Sequence, residues 1–439
     1  MALIEVVGVG FVGLTTAVVA AQAGHDVVGI ESDPHRLGLL GAGVLPFSEP
    51  GLEREMRAET EAGRLRFAGL DYRGDGPAVL VVATPTPTLP SGESDTSSVR
   101  SALRRLWDAG RHSLVVIRST LLPGTSETIV SGAGLSALAD QLVHWPEFLN
   151  QGRALRESRT PDRVVIGADS AVAAARAHDL LRSLAVDLTG YERLSLRGAE
   201  AVKHFSNAVL AVNQVLGAEI ARVCEGIGVD SGMVLASVAA DSRLDPDLLR
   251  PRAPLVDSCL AKDLEALTRN LSVENEPSIL GAALRQAGLL HMDAVQRLSR
   301  HVKAAGRHAR TLIIGAGFSA AVSDTNGSLL WEVLPELEGQ DVTVWDPYVD
   351  SSVERRLGRL LRRDGLTGLI RESDVAALLV PHPEVVAADW DELIPSMASG
   401  GAVLLDYADF FSRRPGGGTE LGHVVHTFGN TRECPVCVG

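Results

Sequence analysis

Leu3-Ile4-Glu5-Val6-Val7 is a short apolar run that enters Gly8-Val9-Gly10-Phe11-Val12-Gly13, and a helix-forming stretch from Leu14 to Ala21 follows. Strand, glycine turn and helix in that order admit few folds. In such a unit the first glycine permits the tight turn and the second lets a pyrophosphate approach the backbone. The third lets the helix pack closely, and the phosphate sits at the positive helix terminus. A second strand, Asp26-Val27-Val28-Gly29-Ile30, ends at Glu31, about twenty residues on, where a carboxylate would hold a ribose diol. An acid there favours NAD over NADP, whose extra phosphate it would repel. The pattern predicts an NAD-binding doubly wound unit, with Gly8, Gly10, Phe11, Val12, Gly13 and Glu31 at the cofactor.

The alternation continues. Ala78 to Ala83 reads as a buried strand ending at Thr84-Pro85-Thr86-Pro87, and Leu114 to Arg118 as another, ending at Ser119-Thr120 before Pro123-Gly124-Thr125 opens a helix. Gln141-Leu142-Val143-His144 leads into Trp145-Pro146-Glu147-Phe148-Leu149-Asn150, which places Glu147 at a strand terminus. Ligands bind where such strands end. From about Gly198 the period becomes helical: Phe205, Val209, Val212, Leu216, Ile220 and Val223 share a face that is either core or interface. Lys203 and Asn207, four apart, fall on the opposite side, where they either meet a ligand's oxygens or face solvent.

Ser258-Cys259-Leu260-Ala261-Lys262-Asp263 packs a thiol, an ammonium and a carboxylate into six residues. A thiol is a nucleophile only as thiolate, and a nearby cation such as Lys262 lowers its pKa; the alternative is a buried, inert cysteine. The chain has three lysines, Lys203, Lys262 and Lys303, and two of them sit at these candidate positions. Further on, Thr311 to Phe318 starts another strand, glycine turn and helix, and strands follow at Asp341 to Trp345, Ala376 to Val380 and Ala402 to Asp406, which predicts a second doubly wound domain.

With 439 residues, two or three domains are expected. A hydrophobic share of 45% without a long apolar run, and no basic leader, predict a cytoplasmic protein with no membrane partner. The net charge of -14 argues against a nucleic-acid partner. Cys434 and Cys437 form a lone CxxC, so no metal is expected.

In their order, the glycine motif with Phe-Val-Gly-Leu, Thr84-Pro85-Thr86-Pro87, Ser119-Thr120 with Pro123-Gly124-Thr125, Pro146-Glu147-Phe148-Leu149, Pro161-Asp162-Arg163, Lys203 with Asn207, and Ser258-Cys259 with Lys262-Asp263 resemble the UDP-glucose/GDP-mannose dehydrogenase family over nearly the whole chain. The resemblance implies an α/β fold of two Rossmann-like domains joined by a long central helix and helical region. Residues 1–195 would bind NAD, 196–305 would form the dimer and carry catalytic groups, and 306–439 would bind the substrate's nucleotide. It implies a two-fold, NAD-dependent oxidation of a nucleotide-sugar primary alcohol to a carboxylate through a thiohemiacetal and a thioester on Cys259.

In that scheme Lys203 and Asp263 position or activate water and stabilise the oxyanion, Asn207 donates to the same oxygen, and Thr120 with Glu147 orders water or shuttles protons. Thr84, Pro85, Thr86, Ser119, Thr120 and Lys262 would line the cofactor. Glu147, Phe148, Leu149, Lys203, Asn207, Leu255, Asp257, Ser258, Phe318 and Ser319 would line the substrate. Arg243 matches an arginine that reaches the neighbouring subunit's site, which implies a homodimer. The chain departs from the family's pattern in places. Pro254-Leu255-Val256-Asp257 replaces a Gly-Phe-Gly-Gly loop, Ser319 and Asn326 replace a lysine and an arginine, and Trp145 and Asn150 replace an asparagine and an arginine. These changes favour an atypical nucleotide sugar or a nucleoside-like substrate. The alternatives are an ordinary UDP-glucose or GDP-mannose 6-dehydrogenase and a non-catalytic nucleotide-binding relative.

Overall fold

The structure, a computed structural model, describes residues 1–89, 93–108, 110–132, 135–245, 248–250, 258–270, 278–306, 308–349, 354–411 and 424–427. The chain separates into two compact units, Met1–Ser206 and Asn207–Gly439.

The first unit is built on an eight-stranded sheet: β1 (Leu3–Val7), β2 (Asp26–Ile30), β3 (Leu65–Ala68), β4 (Ala78–Val82), β5 (His112–Ile117), β6 (Leu142–His144), β7 (Val164–Gly167) and β8 (Tyr191–Leu194). Their order is β3-β2-β1-β4-β5-β6-β7-β8, so the winding reverses beside β1, where a doubly wound sheet opens its ligand crevice. Every neighbouring pair is parallel except β6 and β7, which meet antiparallel at His144 and Gly167. Sheets covered on both faces need strands apolar throughout, and β4 is buried at all five residues. Glu5 breaks that rule inside β1 and is compensated: Arg111 donates to both its oxygens at 2.6 and 2.7 Å, and His112 lies 3.0 Å away. Burial pushes its pKa up, but the bonds from His112 and Arg111 outweigh that and hold it below the ordinary glutamate range.

The second unit carries a six-stranded, wholly parallel sheet: β9 (Arg310–Ile314), β10 (Asp341–Trp345), β11 (Leu361–Arg362), β12 (Val375–Leu378), β13 (Val403–Asp406) and β14 (Val425–Thr427), ordered β11-β10-β9-β12-β13-β14. The helices Ser258–Asn270 and Ile279–Ala305 share its core: Leu264, Leu267, Leu290 and Leu298 belong to one apolar cluster with Ile313, Val344 and Ala377.

Two local features differ from the sequence reading. No helix follows the second glycine turn directly; the next is Leu330–Glu336. The turn's amides are also already occupied: buried Asp346, at the end of β10, accepts from the N–H groups of Ala316 at 2.8 Å and Gly317 at 3.1 Å. His382 holds that carboxylate in place. Its Nδ1 accepts from the Ala321 N–H at 3.1 Å, so its Nε2 carries the proton donated to Asp346 at 3.0 Å.

The helix Leu196–Ile227 runs 32 residues through the boundary between the units. Its apolar stripe is outward in the single chain: Phe205, Val209, Leu216 and Val223 are exposed. Lys203, His204, Asn207, Ala211 and Val215 are buried. Among the described residues no helix is long and apolar enough to cross a membrane.

Candidate active site

The first glycine turn separates what the fold needs from what a ligand needs. Gly8 has φ +83, and a Cβ on it would lie 2.8 Å from the Ala83 carbonyl oxygen; one on Gly13 would lie 1.9 Å from the Gly8 oxygen. Side chains there are excluded by the backbone itself. A Cβ on Gly10 would meet nothing closer than Arg36 Nη2, at 3.8 Å. The fold does not require that glycine, so its smallness leaves room for a ligand against the backbone. Gly10 caps the helix Phe11–Gln22, which has neither a side-chain cap nor an acid in its first turn, so its N-terminal amides suit a phosphate.

Glu31 stands at the end of β2, buried, with Oε1 accepting from the N–H groups of Ser32 at 2.8 Å and Asp33 at 3.0 Å. Those bonds orient the carboxylate and leave Oε2 for a diol. The turn, the bare helix end and Glu31 together fit a dinucleotide. Arg36, which sequence reasoning passed over, adds a cation beside Gly10, with a buried Nε that has no hydrogen-bond partner among the described residues. Its signal was faint: one arginine in a polar helix start.

The loops after β4 and β5 are tied to each other. Thr86 Oγ1 donates to the Thr120 carbonyl at 2.9 Å, and Ser119 Oγ donates to the Thr84 carbonyl at 2.7 Å. Among the described residues, buried Thr84 Oγ1 has no hydrogen-bond partner. Pro85 lies between these anchor points. Beyond β6, Glu147 Oε1 forms an ion pair with Lys203 Nζ at 2.9 Å while Oε2 accepts from the Leu149 N–H at 2.7 Å. Phe148 packs beneath two cations, with Arg163 4.1 Å and Lys203 5.7 Å from its ring centroid. Lys203 and Glu147, 56 residues apart in the chain, are thus brought together within the first unit.

One turn before Lys203, Glu200 is fully buried and accepts from the N–H groups of Gly124 at 2.6 Å and Ser126 at 2.8 Å. It caps the short helix Thr125–Ser131 from outside and fastens the start of the long helix to the loop that follows Thr120. Burial pushes its pKa up against those bonds. No spacing between Glu200 and Gly124 signals this role in the sequence.

In the second unit, buried Asp263 is shared: Asn207 Nδ2 donates to Oδ2 at 2.6 Å, and Lys262 Nζ pairs with Oδ1 at 2.6 Å. Ser258 and Cys259 form the first turn of the helix Ser258–Asn270. Leu255 and Asp257 lie outside the described residues, as do Cys434 and Cys437. Phe318 donates its N–H to the Asp324 carbonyl at 3.1 Å, and Ser319 is half-buried beside it. Arg243 is exposed and forms an ion pair with Asp241 at 2.5 Å.

A doubly wound sheet with an open glycine turn, an acid after the second strand and a buried ammonium–carboxylate pair defines a dinucleotide-dependent oxidoreductase. The UDP-glucose/GDP-mannose dehydrogenase family's NAD binding domain matches residues 2–185, and its central domain matches residues 197–287. The chain is 30% identical to YtcA of Bacillus subtilis over 417 residues, covering 91% of this chain and 94% of that one. It is 29% identical to AglM of Haloferax volcanii, a UDP-glucose 6-dehydrogenase, covering 89% and 91%. A UDP-glucose dehydrogenase structure from Pyrobaculum islandicum superposes with a TM-score of 0.81 at 28% identity, covering 97% of each chain. The chain belongs to the UDP-glucose/GDP-mannose dehydrogenase family and is an NAD-dependent nucleotide-sugar dehydrogenase.

Proposed function

We propose that the protein oxidises a primary alcohol to a carboxylate in two steps of two electrons each, on an atypical nucleotide sugar or nucleoside-like substrate, with Cys259 as covalent nucleophile. Bound at the first glycine turn, NAD would supply the hydride acceptor for both oxidations, held by Gly8, Gly10, Phe11, Val12, Gly13, Glu31 and Arg36. After the first oxidation the Cys259 thiolate adds to the aldehyde carbon, forming a C–S bond, and the carbonyl oxygen takes a proton. The second oxidation turns this thiohemiacetal into a thioester. Water then adds, the C–S bond breaks, and the carboxylate leaves with the thiol restored.

Lys203 and Asn207, one turn apart on the long helix, stabilise the oxygen as it becomes an anion, while Asp263 and Glu147 position water. The observation that carries this reading is buried Asp263, held by both Asn207 and Lys262, one helical turn after Cys259. A carboxylate so held is pre-oriented, where a purely structural pair would be cheaper as apolar groups. The three-part division at residues 196 and 306 assigns NAD binding, dimerisation and nucleotide recognition to successive segments. Dimerisation through the exposed stripe of the long helix is part of the same reading.

Ser319 and Asn326 favour the atypical substrate, because a diphosphate calls for cations there. The names of the relatives favour ordinary UDP-glucose. NADH release is to be measured with UDP-glucose, UDP-N-acetylmannosamine, GDP-mannose and free nucleosides. Two NADH per substrate, abolished in Cys259→Ala, are expected. One NADH per substrate would mean oxidation stops at the aldehyde, and NAD binding without turnover of any alcohol would sink the enzymatic reading.

A further inference from the structure

Arg118 follows β5 directly and precedes Ser119-Thr120. It is 5% exposed, its guanidinium lies 3.9 Å over the Trp145 ring, and among the described residues neither Nε nor Nη1 has a hydrogen-bond partner. Burying a cation without a bonded carboxylate is expensive, and an apolar side chain of similar volume would serve packing better. Burial pulls its pKa down to about 10, against the opposing pull of the Glu147 charge, so it stays a cation at neutral pH. The Trp145 backbone N–H donates to the Ile117 carbonyl at 2.8 Å, which anchors the chain at Trp145 to the end of β5, and Glu147 follows two residues later.

We propose that Arg118 is a positioning residue for the oxidation: a fixed buried cation that, with Lys203, leaves the Glu147 carboxylate outnumbered, so the pocket is net positive where the reacting oxygen becomes an anion. This rests on the roles given above to Lys203 and Glu147. Arg118 and Lys203 exceed the Glu147 carboxylate by one positive charge, Arg163 over Phe148 adds to that excess, and Asp263 carries its own cation in Lys262. In a dry site an excess of positive charge favours a developing oxyanion without reorganisation. The Trp145 ring shields the guanidinium from water and fixes its plane.

The test follows NADH release, with the nucleotide sugar that turns over fastest in the panel above, in Arg118→Met and Arg118→Ala. Arg118→Met removes a desolvated charge and should fold. Its NAD affinity and KM should stay close to the parent's while kcat falls about tenfold or more. Millimolar guanidinium should restore kcat in Arg118→Ala, whereas urea, its neutral isostere, should not. A kcat for Arg118→Met within about twofold of the parent, or rescue by urea as good as by guanidinium, would overturn the proposal. Cys259→Ala and Lys203→Ala are run alongside: if both turn over like the parent, the underlying reading falls and this one with it. If both are inactive while Arg118→Met is not impaired, only the role of Arg118 falls.

Discussion

At the residue scale, the glycines of the first turn make separable predictions. Gly10→Ala introduces a methyl group into open space, so stability should change by less than about 0.5 kcal/mol while the Kd for NAD rises at least about tenfold. Gly13→Ala drives a methyl group into the Gly8 carbonyl, and the protein should lose several kcal/mol or fail to fold. Denaturant melts and calorimetric NAD titration of both variants check this, and a Gly10→Ala protein that binds NAD normally would count against a ligand at that turn. The motif residues were legible because their chemistry depends on spacing within a short stretch. Arg36, Arg118 and Glu200 were not, since each acquires its meaning from a partner or an empty space that only the fold supplies. The second glycine turn misled in the opposite direction: its spacing suggested strand, turn and helix, but Asp346, about thirty residues on, determines what its amides do.

At the element scale, the long helix is held at its start by Glu200 gripping two amides of a neighbouring helix end. Glu200→Gln keeps one oxygen and strands one buried N–H, which should cost about 1–3 kcal/mol. The cost should depend on pH in a defined direction. Burial raises the folded-state pKa above the unfolded value, so the parent loses stability as pH rises from the ordinary glutamate range through the folded value. The glutamine variant has no such loss, so the gap between the two should narrow on raising the pH, as paired denaturant melts would show. The parallel strand β4 could be read directly, being a continuous apolar run, and so could β1 despite Glu5 and β5 from Leu114 onward. The short β8, Tyr191–Leu194, could not, because two of its four residues are exposed and charged. The apolar stripe of the long helix was legible as a stripe, yet core and interface look alike in sequence. Exposure of Phe205, Val209, Leu216 and Val223 in the single chain removes the core alternative for those four.

At the scale of the whole molecule, that stripe reaches Ile227 at the end of the long helix, which is exposed too, as is Met233 on the next helix, and exposed apolar area on this scale marks an interaction surface. The expectation is a homodimer seated on it. Val209→Glu combined with Val223→Glu should halve the mass measured by analytical ultracentrifugation without unfolding the chain. A parent that sediments as a monomer at micromolar concentration would remove the basis for this expectation. Arg243, exposed with Asp241 as its ion-pair partner, would then have no neighbouring subunit to serve.

The resident carboxylate of Asp346 gives the two units different thermodynamic obligations. The second glycine turn is satisfied by a carboxylate the chain carries with it, so that turn needs no bound dinucleotide to complete its amides. Among the described residues no side chain caps the helix after the first turn, so its amides await something that diffuses in. By mass action, NAD at about one hundred times its Kd should stabilise the first unit by about 2.7 kcal/mol and leave the second unchanged. A calorimetric scan with rising NAD should therefore pull one unfolding transition upward and away from the other. In a cell, the NAD-binding half of the chain would be the half whose lifetime follows the NAD pool.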